Sequence, residues 1–280
     1  MTTARSPLLV RLTLSVLIVW VVASEASSVL PSHPGAALFT GWAPEVMQLL
    51  AAAVCAAGAL RVTGRERLAW LLLAAAIVVW TAGDLYWLHV LDADESVPVP
   101  SVADFGYLLF PVLAFAGLVG LLHTRERNVP RTLIVDAVIV ALSAATVSAA
   151  FVVQPVAETA AGGSLEVATN LAYPIGDAAL LAIVLGAFAV RGWRMDLTWL
   201  LLGAGAVAFF IADSCYLVQS ANGTYEAPTL YDTGWSASTV LFALAAWVPA
   251  ERRGRERVAG MRNIVVPLVL AFAAIVVTLM

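Results

Sequence analysis

The chain has 280 residues, of which 61% are hydrophobic and 12% charged, with a mean hydropathy of +0.91. A soluble domain carries about twice that share of charge, so the composition excludes an ordinary water-soluble fold and places most of the chain in lipid. All 15 positive charges are Arg, scattered in short clusters rather than along one stripe, which excludes a nucleic-acid-binding surface, and the net charge of −4 is too small to name a partner.

Nine apolar segments are long enough to cross a bilayer as helices, which takes about 20 residues each. They fall near 8–24, 43–61, 67–91, 102–122, 131–153, 166–190, 196–218, 230–249 and 262–280. The first has Arg5 and Arg11 ahead of or within it and Ala23-Ser24-Glu25-Ala26 behind it, as a secretory signal would. The eight spans that follow favour an uncleaved helix. Each segment is too long and too continuously apolar for a barrel strand, which alternates over about 10 residues. The connections carry helix punctuation: Asn128-Val129-Pro130 before the fifth span, Gly162-Gly163-Ser164 before the sixth, Gly223 and Pro228 before the eighth. The expected fold class is therefore an all-α polytopic membrane bundle, a single integral membrane domain over 1–280.

The arginines fix the expected orientation. Arg5 and Arg11 open the first span; Arg61, Arg65 and Arg67 lie between spans 2 and 3; Arg125, Arg127 and Arg131 between 4 and 5; Arg191 and Arg194 between 6 and 7; and five more, from Arg252 to Arg262, between 8 and 9. The alternate connections hold no Arg and carry Glu25, Asp92, Asp94, Glu95, Glu158 and Glu226. Positive residues stay cytoplasmic, so the N-terminus is predicted inside. The localisation expected is a bacterial plasma membrane, multi-pass. Residue 280 then falls near the outer face inside an apolar run, which predicts a chain that continues into a further span.

One stretch occurs twice. At an offset of 129, residues 69–88 and 198–217 match at 8 of 20 positions, including Trp70 with Trp199 and Asp84 with Asp213. A second signature follows each copy at an offset of 128: Ser101-Val102-Ala103-Asp104-Phe105-Gly106-Tyr107 and Thr229-Leu230-Tyr231-Asp232-Thr233-Gly234-Trp235. Ungapped matches at Trp, Asp and Gly indicate duplication. Pro44 and Pro174, 130 apart, extend it towards halves at 1–128 and 129–258, with an additional helix in 259–280. Equivalent spans keep one direction, so the repeat is parallel.

Ionisable groups inside spans are the candidate functional residues. Asp136, in the first turns of span 5, suits a helix N-terminus and reads as structural. Asp104 and Asp232 complete Ser101-x-x-Asp104 and Thr229-x-x-Asp232, which read as capping boxes in which Ser101 and Thr229 cap one amide and the carboxylate another. Asp84 and Asp213 resist that explanation. Both fall in the C-terminal half of an outbound helix, where the dipole repels a carboxylate. Both lie roughly 7–10 Å below the outer surface at 1.5 Å per residue. Such a group is protonated, paired or reached by water. No Arg lies in the outer half, so the expected partners are hydroxyls, amides, Tyr86, Trp87, Tyr107, Tyr216, Trp235 and the fifth acid, Asp177. The five acids are expected to line one polar cavity open to the outside, with Tyr107 and Trp235 among the ligand- or proton-sensing candidates.

The remaining signals name no chemistry. Cys55 and Cys215 sit in apolar runs and read as core filler. His89-x-x-Asp92-x-Asp94 reads as a solvated acidic loop rather than a metal site. No phosphate-cradling Gly loop, HExxH, GxSxG or paired CxxC is present, so no cofactor or catalytic residue is expected. Trp42, Trp87, Trp193, Trp199, Trp247, Tyr107 and Tyr231 near span ends read as interfacial belts.

Several of these motifs carry a resemblance. Pro100 to Leu108 with Phe110-Pro111, Tyr173-Pro174-Ile175-Gly176-Asp177-Ala178-Ala179-Leu180-Leu181, Ala212-Asp213-Ser214-Cys215-Tyr216, Gly223-Thr224-Tyr225 and Asp232-Thr233-Gly234-Trp235, ending at Trp247-Val248-Pro249, resemble the polytopic N-terminal membrane region of actinobacterial-type signalling proteins that carry cytoplasmic GGDEF and often EAL domains. The resemblance spans about residues 67–250. It implies a sensory or anchoring module regulating cyclic di-GMP, with a GGDEF domain in cis, the lipid bilayer and a second copy of the chain as candidate partners. The sequence itself holds no GGDEF or EAL motif, so no enzymatic activity is expected of this chain. Two other classes stay open on residues alone: a small proton-coupled or solute transporter, and a structural membrane anchor. A carrier requires a path open to both sides; a sensor requires its carboxylates to face one side.

Overall fold

A computed structural model describes residues 8–29, 39, 42–91, 99–125, 163–191, 196–225 and 229–249, and isolated helical positions at 135, 139, 143 and 146. Among these residues every regular element is helical. In chain order they are α1 (Leu8–Val29), α2 (Ala43–Ala59), α3 (Gly64–Tyr86), α4 (Val102–Arg125), α5 (Ser164–Val190), α6 (Leu197–Ala221) and α7 (Thr233–Ala245). Helix α3 runs on into a π-helical turn, Trp87–Leu91. Helices α1, α3, α4, α5 and α6 are long and apolar enough to cross a membrane. α2 and α7 are apolar but shorter, at 17 and 13 residues. Of the predicted span at 131–153 those isolated positions alone are described, and Asp136 and the predicted span at 262–280, with the 259–280 extension, lie outside the described residues.

Local chemistry sets the helix ends. Pro44 opens α2, where a missing N–H costs nothing. Asp196 caps α6, its carboxylate accepting the Trp199 N–H at 2.9 Å. That helix stops in a Schellman arrangement: Thr224 N–H donates to the Gln219 carbonyl at 2.9 Å and Gly223 N–H to that of Ser220 at 3.1 Å. The turn requires the left-handed φ of +65° that Gly223 supplies.

Six helices close into a ring. α3 packs between α2 and α4, α5 between α4 and α6, and α7 between α6 and α2, while α1 lies outside against α2 and α7. The tightest approaches are made by glycine. A Cβ on Gly106 of α4 would stand 2.5 Å from the Val79 carbonyl of α3, and one on Gly234 of α7 would stand 2.8 Å from the Ala208 carbonyl of α6. Trp70, Leu73, Ile77, Phe110, Leu118, Trp199, Leu202, Phe209 and Phe242 fill the ring interior. Leu12, Val19, Leu68, Val78, Phe105, Val112, Leu200, Val207 and Ile211 face outward, as lipid-contacting residues do.

Two expectations about aromatic residues change here. Trp199 is fully buried, so it belongs to the core and not to an interfacial belt. Tyr107 packs inward against Trp80, with ring centroids 4.6 Å apart. Trp42 and Tyr231 are exposed, as a belt requires. Cys55 is buried with its thiol 3.7 Å from the Trp70 carbonyl, and both cysteines are free, so the core-filler reading of Cys55 stands.

Arginine ties one end of the ring. Arg125 at the end of α4 pairs with Glu66 at the start of α3 at 2.9 Å and lies over the Trp70 ring. Arg191 pairs with Asp196 at 2.5 Å, joining the end of α5 to the start of α6. Arg61 lies over the Trp247 ring, 4.7 Å from its centroid, and so joins the ends of α2 and α7.

Candidate functional site

The opposite end of the ring gathers the carboxylates. Asp84 sits two residues before the end of α3 and accepts from Gln48 Nε2 of α2 at 3.1 Å. The same Gln48 accepts at Oε1 from the Thr81 hydroxyl at 3.0 Å, and Gln48 and Thr81 are both buried. Tyr107 also interacts with Asp84, and Glu45, one helical turn before Gln48, lies within electrostatic reach of it, while the buried Trp80 indole N–H has no hydrogen-bond partner among the described residues. The acid at this helix C-terminus is therefore held by an amide and a phenol, with no cation among them.

Asp213 of α6 occupies the corresponding place beside α7. Its Oδ1 accepts from Trp235 Nε1 at 2.7 Å, and its side chain lies against that of Asp177 on α5. Both acids are buried, Asp177 to 3% exposure and Asp213 to 4%. Asp177 Oδ2 has no hydrogen-bond partner among the described residues, and neither do Glu45 Oε2 and Ser214 Oγ.

Asp104 and Asp232 open the helices that follow. Asp104 accepts from the Ser101 N–H at 2.5 Å and from the Ser101 hydroxyl at 2.8 Å. Asp232 accepts from the Thr229 N–H and hydroxyl, each at 2.7 Å. This corrects the expected capping box. The carboxylate arm forms, but the hydroxyl donates to that carboxylate instead of accepting a helix amide. At Thr229 the motif closes a turn before α7 begins, and Asp232 makes no side-chain cap. Each acid then takes a tyrosine: Tyr173 of α5 donates to Asp104, and Tyr225 to Asp232 at 3.2 Å.

Tyrosines link these acids into one cluster. Tyr173 interacts with Asp104, Asp213 and Tyr216, and Tyr107 with Asp84, Tyr173 and Tyr216. Tyr216 meets Tyr225 edge-on at 4.9 Å and Trp235 at 6.0 Å. All five predicted acids, with Tyr107 and Trp235, therefore share one end of the ring. The expected open cavity is corrected in part: Asp84, Asp104 and Asp232 are half-buried, whereas Asp177 and Asp213 are enclosed. Sequence reasoning missed Glu45, Gln48 and Thr81, and Tyr225 stood only within a motif of the resemblance. Of these, Glu45 carried a signal, as an acid inside the boundary of a predicted span.

An aromatic plug closes the cluster below. Trp80 meets Phe209 at 4.6 Å and Phe110 at 5.6 Å, and Phe110 stacks on Phe209 at 4.3 Å. All three are buried, and between them and the arginine end lie Leu73, Leu118 and Leu202. No group of three or more His, Cys, Asp or Glu among the described residues could hold a metal ion.

The fold and the apolar helices define a multi-pass helical membrane protein. No protein-family model matches the sequence, no curated protein is similar to it, and no solved structure matches its fold.

Proposed function

We propose that this chain is the membrane-embedded input module of a cyclic di-GMP signalling protein, and that its acidic end is the sensing site. In this reading the arginine end faces the cytoplasm and adjoins a GGDEF output domain in cis. Nine spans cross the plasma membrane and contain a parallel internal repeat. A stimulus at the acidic end shifts the ring between two arrangements that it binds unequally, and the output domain follows.

The observation that carries the proposal is the one-sidedness of the polar interior. Six carboxylates (Glu45, Asp84, Asp104, Asp177, Asp213, Asp232) converge at one end, and the Trp80–Phe110–Phe209 plug separates them from the other. A carrier needs polar groups along a path through the bilayer; among the described residues the carboxylates are confined to the two ends, with hydroxyls such as those of Ser238 and Thr239 buried between them. The resemblance of the Asp104, Asp177, Asp213 and Asp232 motifs to GGDEF-associated membrane regions supplies the identity of the output. The repeat is supported by matched contacts: Ser101 and Thr229 bind their acids alike, and Gly106 and Gly234 meet the carbonyls of Val79 and Ala208, again 129 apart.

The test is the cellular cyclic di-GMP level in a strain carrying the native gene with Asp84→Asn and Asp213→Asn. The proposal expects inserted protein and an output fixed at one level. Insertion with an output that still varies as in the wild type would overturn it.

A further inference from the structure

The buried Asp177–Asp213 contact has no positive charge beside it among the described residues. No Lys exists in the chain, and among the described residues Arg61, Arg125 and Arg191 lie at the other end of the ring. Among the described residues the groups that interact with the pair are Trp235 on α7, Tyr173 on α5 and Tyr216 on α6, with Asp104 and Asp232 beyond the tyrosines. None of them is a base. Two carboxylates in contact, with one oxygen buried and unpartnered, repel each other strongly away from water.

The other half of the ring shows how the same position is satisfied. Gln48 holds beside Asp84 the place that Asp177 holds beside Asp213, each on the helix packed against that of the acid. The packing follows the same rule: α2 against α3 corresponds to α5 against α6, α3 against α4 to α6 against α7, and α4 against α5 to α7 against α2. Tyr107 beside Asp84 corresponds to Trp235 beside Asp213. In the first half the residue on the neighbouring helix donates an amide N–H, Gln48 Nε2 to Asp84. In the second half that residue is a carboxyl group. A carboxyl group donates only as the acid, through its O–H.

We propose that Asp177 and Asp213 together bind one proton, with Asp177 as the carboxylic acid donating to the Asp213 carboxylate in the place where Gln48 donates its amide to Asp84. Binding takes one H⁺ from solution and changes the charge of the pair from −2 to −1, with no other bond made or broken. A proton fits where a larger cation does not, because it needs no space between two side chains already in contact. The first half is then a fixed reference, its donor permanent, and the second half is the one that responds. The proposal deepens the sensory reading by naming the ligand, and rests on that reading only for the use to which the proton is put.

Infrared spectroscopy on the full chain in phospholipid vesicles tests it. Wild type is expected to show the carbonyl stretch of a protonated carboxylic acid at neutral pH, moved by exchange into D₂O and lost in Asp177→Gln. The reciprocal variant Gln48→Glu, which puts a carboxyl group of the same shape beside Asp84, is expected to gain a second such band. A wild-type spectrum equal to that of Asp177→Gln would overturn the proposal. So would a band that emerges only when sodium is withdrawn, since a metal cation would then occupy the pair. These spectra do not involve the output domain. A band present as expected beside an unresponsive cyclic di-GMP level would sink the sensory reading alone, and no band beside a responsive output would sink the proton site alone.

Discussion

The two ends of the ring are held by different chemistry. At the arginine end three guanidinium groups are matched locally, Arg125 with Glu66, Arg191 with Asp196, and Arg61 with the Trp247 ring. At the acidic end the partners of the carboxylates are neutral: Gln48, Tyr107, Tyr173, Tyr225, Trp235, Ser101 and Thr229. Charge matched by opposite charge stays closed over the ordinary pH range. Charge held by neutral donors changes its hydrogen bonding whenever a proton or a cation arrives. The first arrangement suits an anchor and the second a receiver.

The plug between them is where a substitution should act most strongly. Trp80 contacts Tyr107, Phe110, Phe209 and Trp235, so Trp80→Ala removes the centre of five packed rings. A loss near the upper end of large-to-small core changes, about 5 kcal/mol, is expected in thermal unfolding in detergent. A loss below about 1 kcal/mol would mean that the plug does not hold the ring together.

The arginine end comes next. Arg191 and Asp196 are 7% and 8% exposed, so Arg191→Ala leaves a buried carboxylate without its cation. The expected cost is about 3 kcal/mol, the lower end for breaking a buried pair, because this pair sits at a helix end. The same denaturation assay should show the loss largely restored in Arg191→Ala/Asp196→Asn, where the charge is gone and the cap to Trp199 is kept. An unrestored double variant would place the effect in packing instead.

The turn acids should give the smallest effects. Asp104→Ala and Asp232→Ala each remove a carboxylate that holds a preceding backbone N–H, worth about 0.5–2 kcal/mol. Asp104→Ala should fall at the upper end of that range, because it also strands the hydroxyl of Tyr173 on another helix. The Tyr225 partner of Asp232 lies in the adjoining loop and can turn to water. Equal losses would show that Tyr173 does not bind α5 to α4.

Much of this was legible in the sequence. Apolar runs located all seven described helices to within a few residues, because lipid forces every span to satisfy its own backbone. Asp84 and Asp213 stood out because a carboxylate near a helix C-terminus contradicts the dipole, and both prove to need partners from other helices. Gln48 and Thr81 were not legible. An uncharged polar residue in an apolar helix gives no sign of which neighbour it faces, and the closure of α7 onto α2 joins segments far apart in the chain. Trp199 was misplaced for a related reason: position near a span end suggested an interface, and only packing shows that it is core. Ser101 and Thr229 had the spacing of a cap, but a hydroxyl beside a carboxylate on the same turn donates to it before it accepts from an amide.

The sidedness of the two ends is the claim on which the rest depends, and phosphatase fusions measure it directly. Alkaline phosphatase, active only outside the cytoplasm, should be active when joined after Ala160 or Asn222 and inactive after Arg127 or Arg255. The reverse pattern would put the carboxylates on the cytoplasmic side and contradict the account.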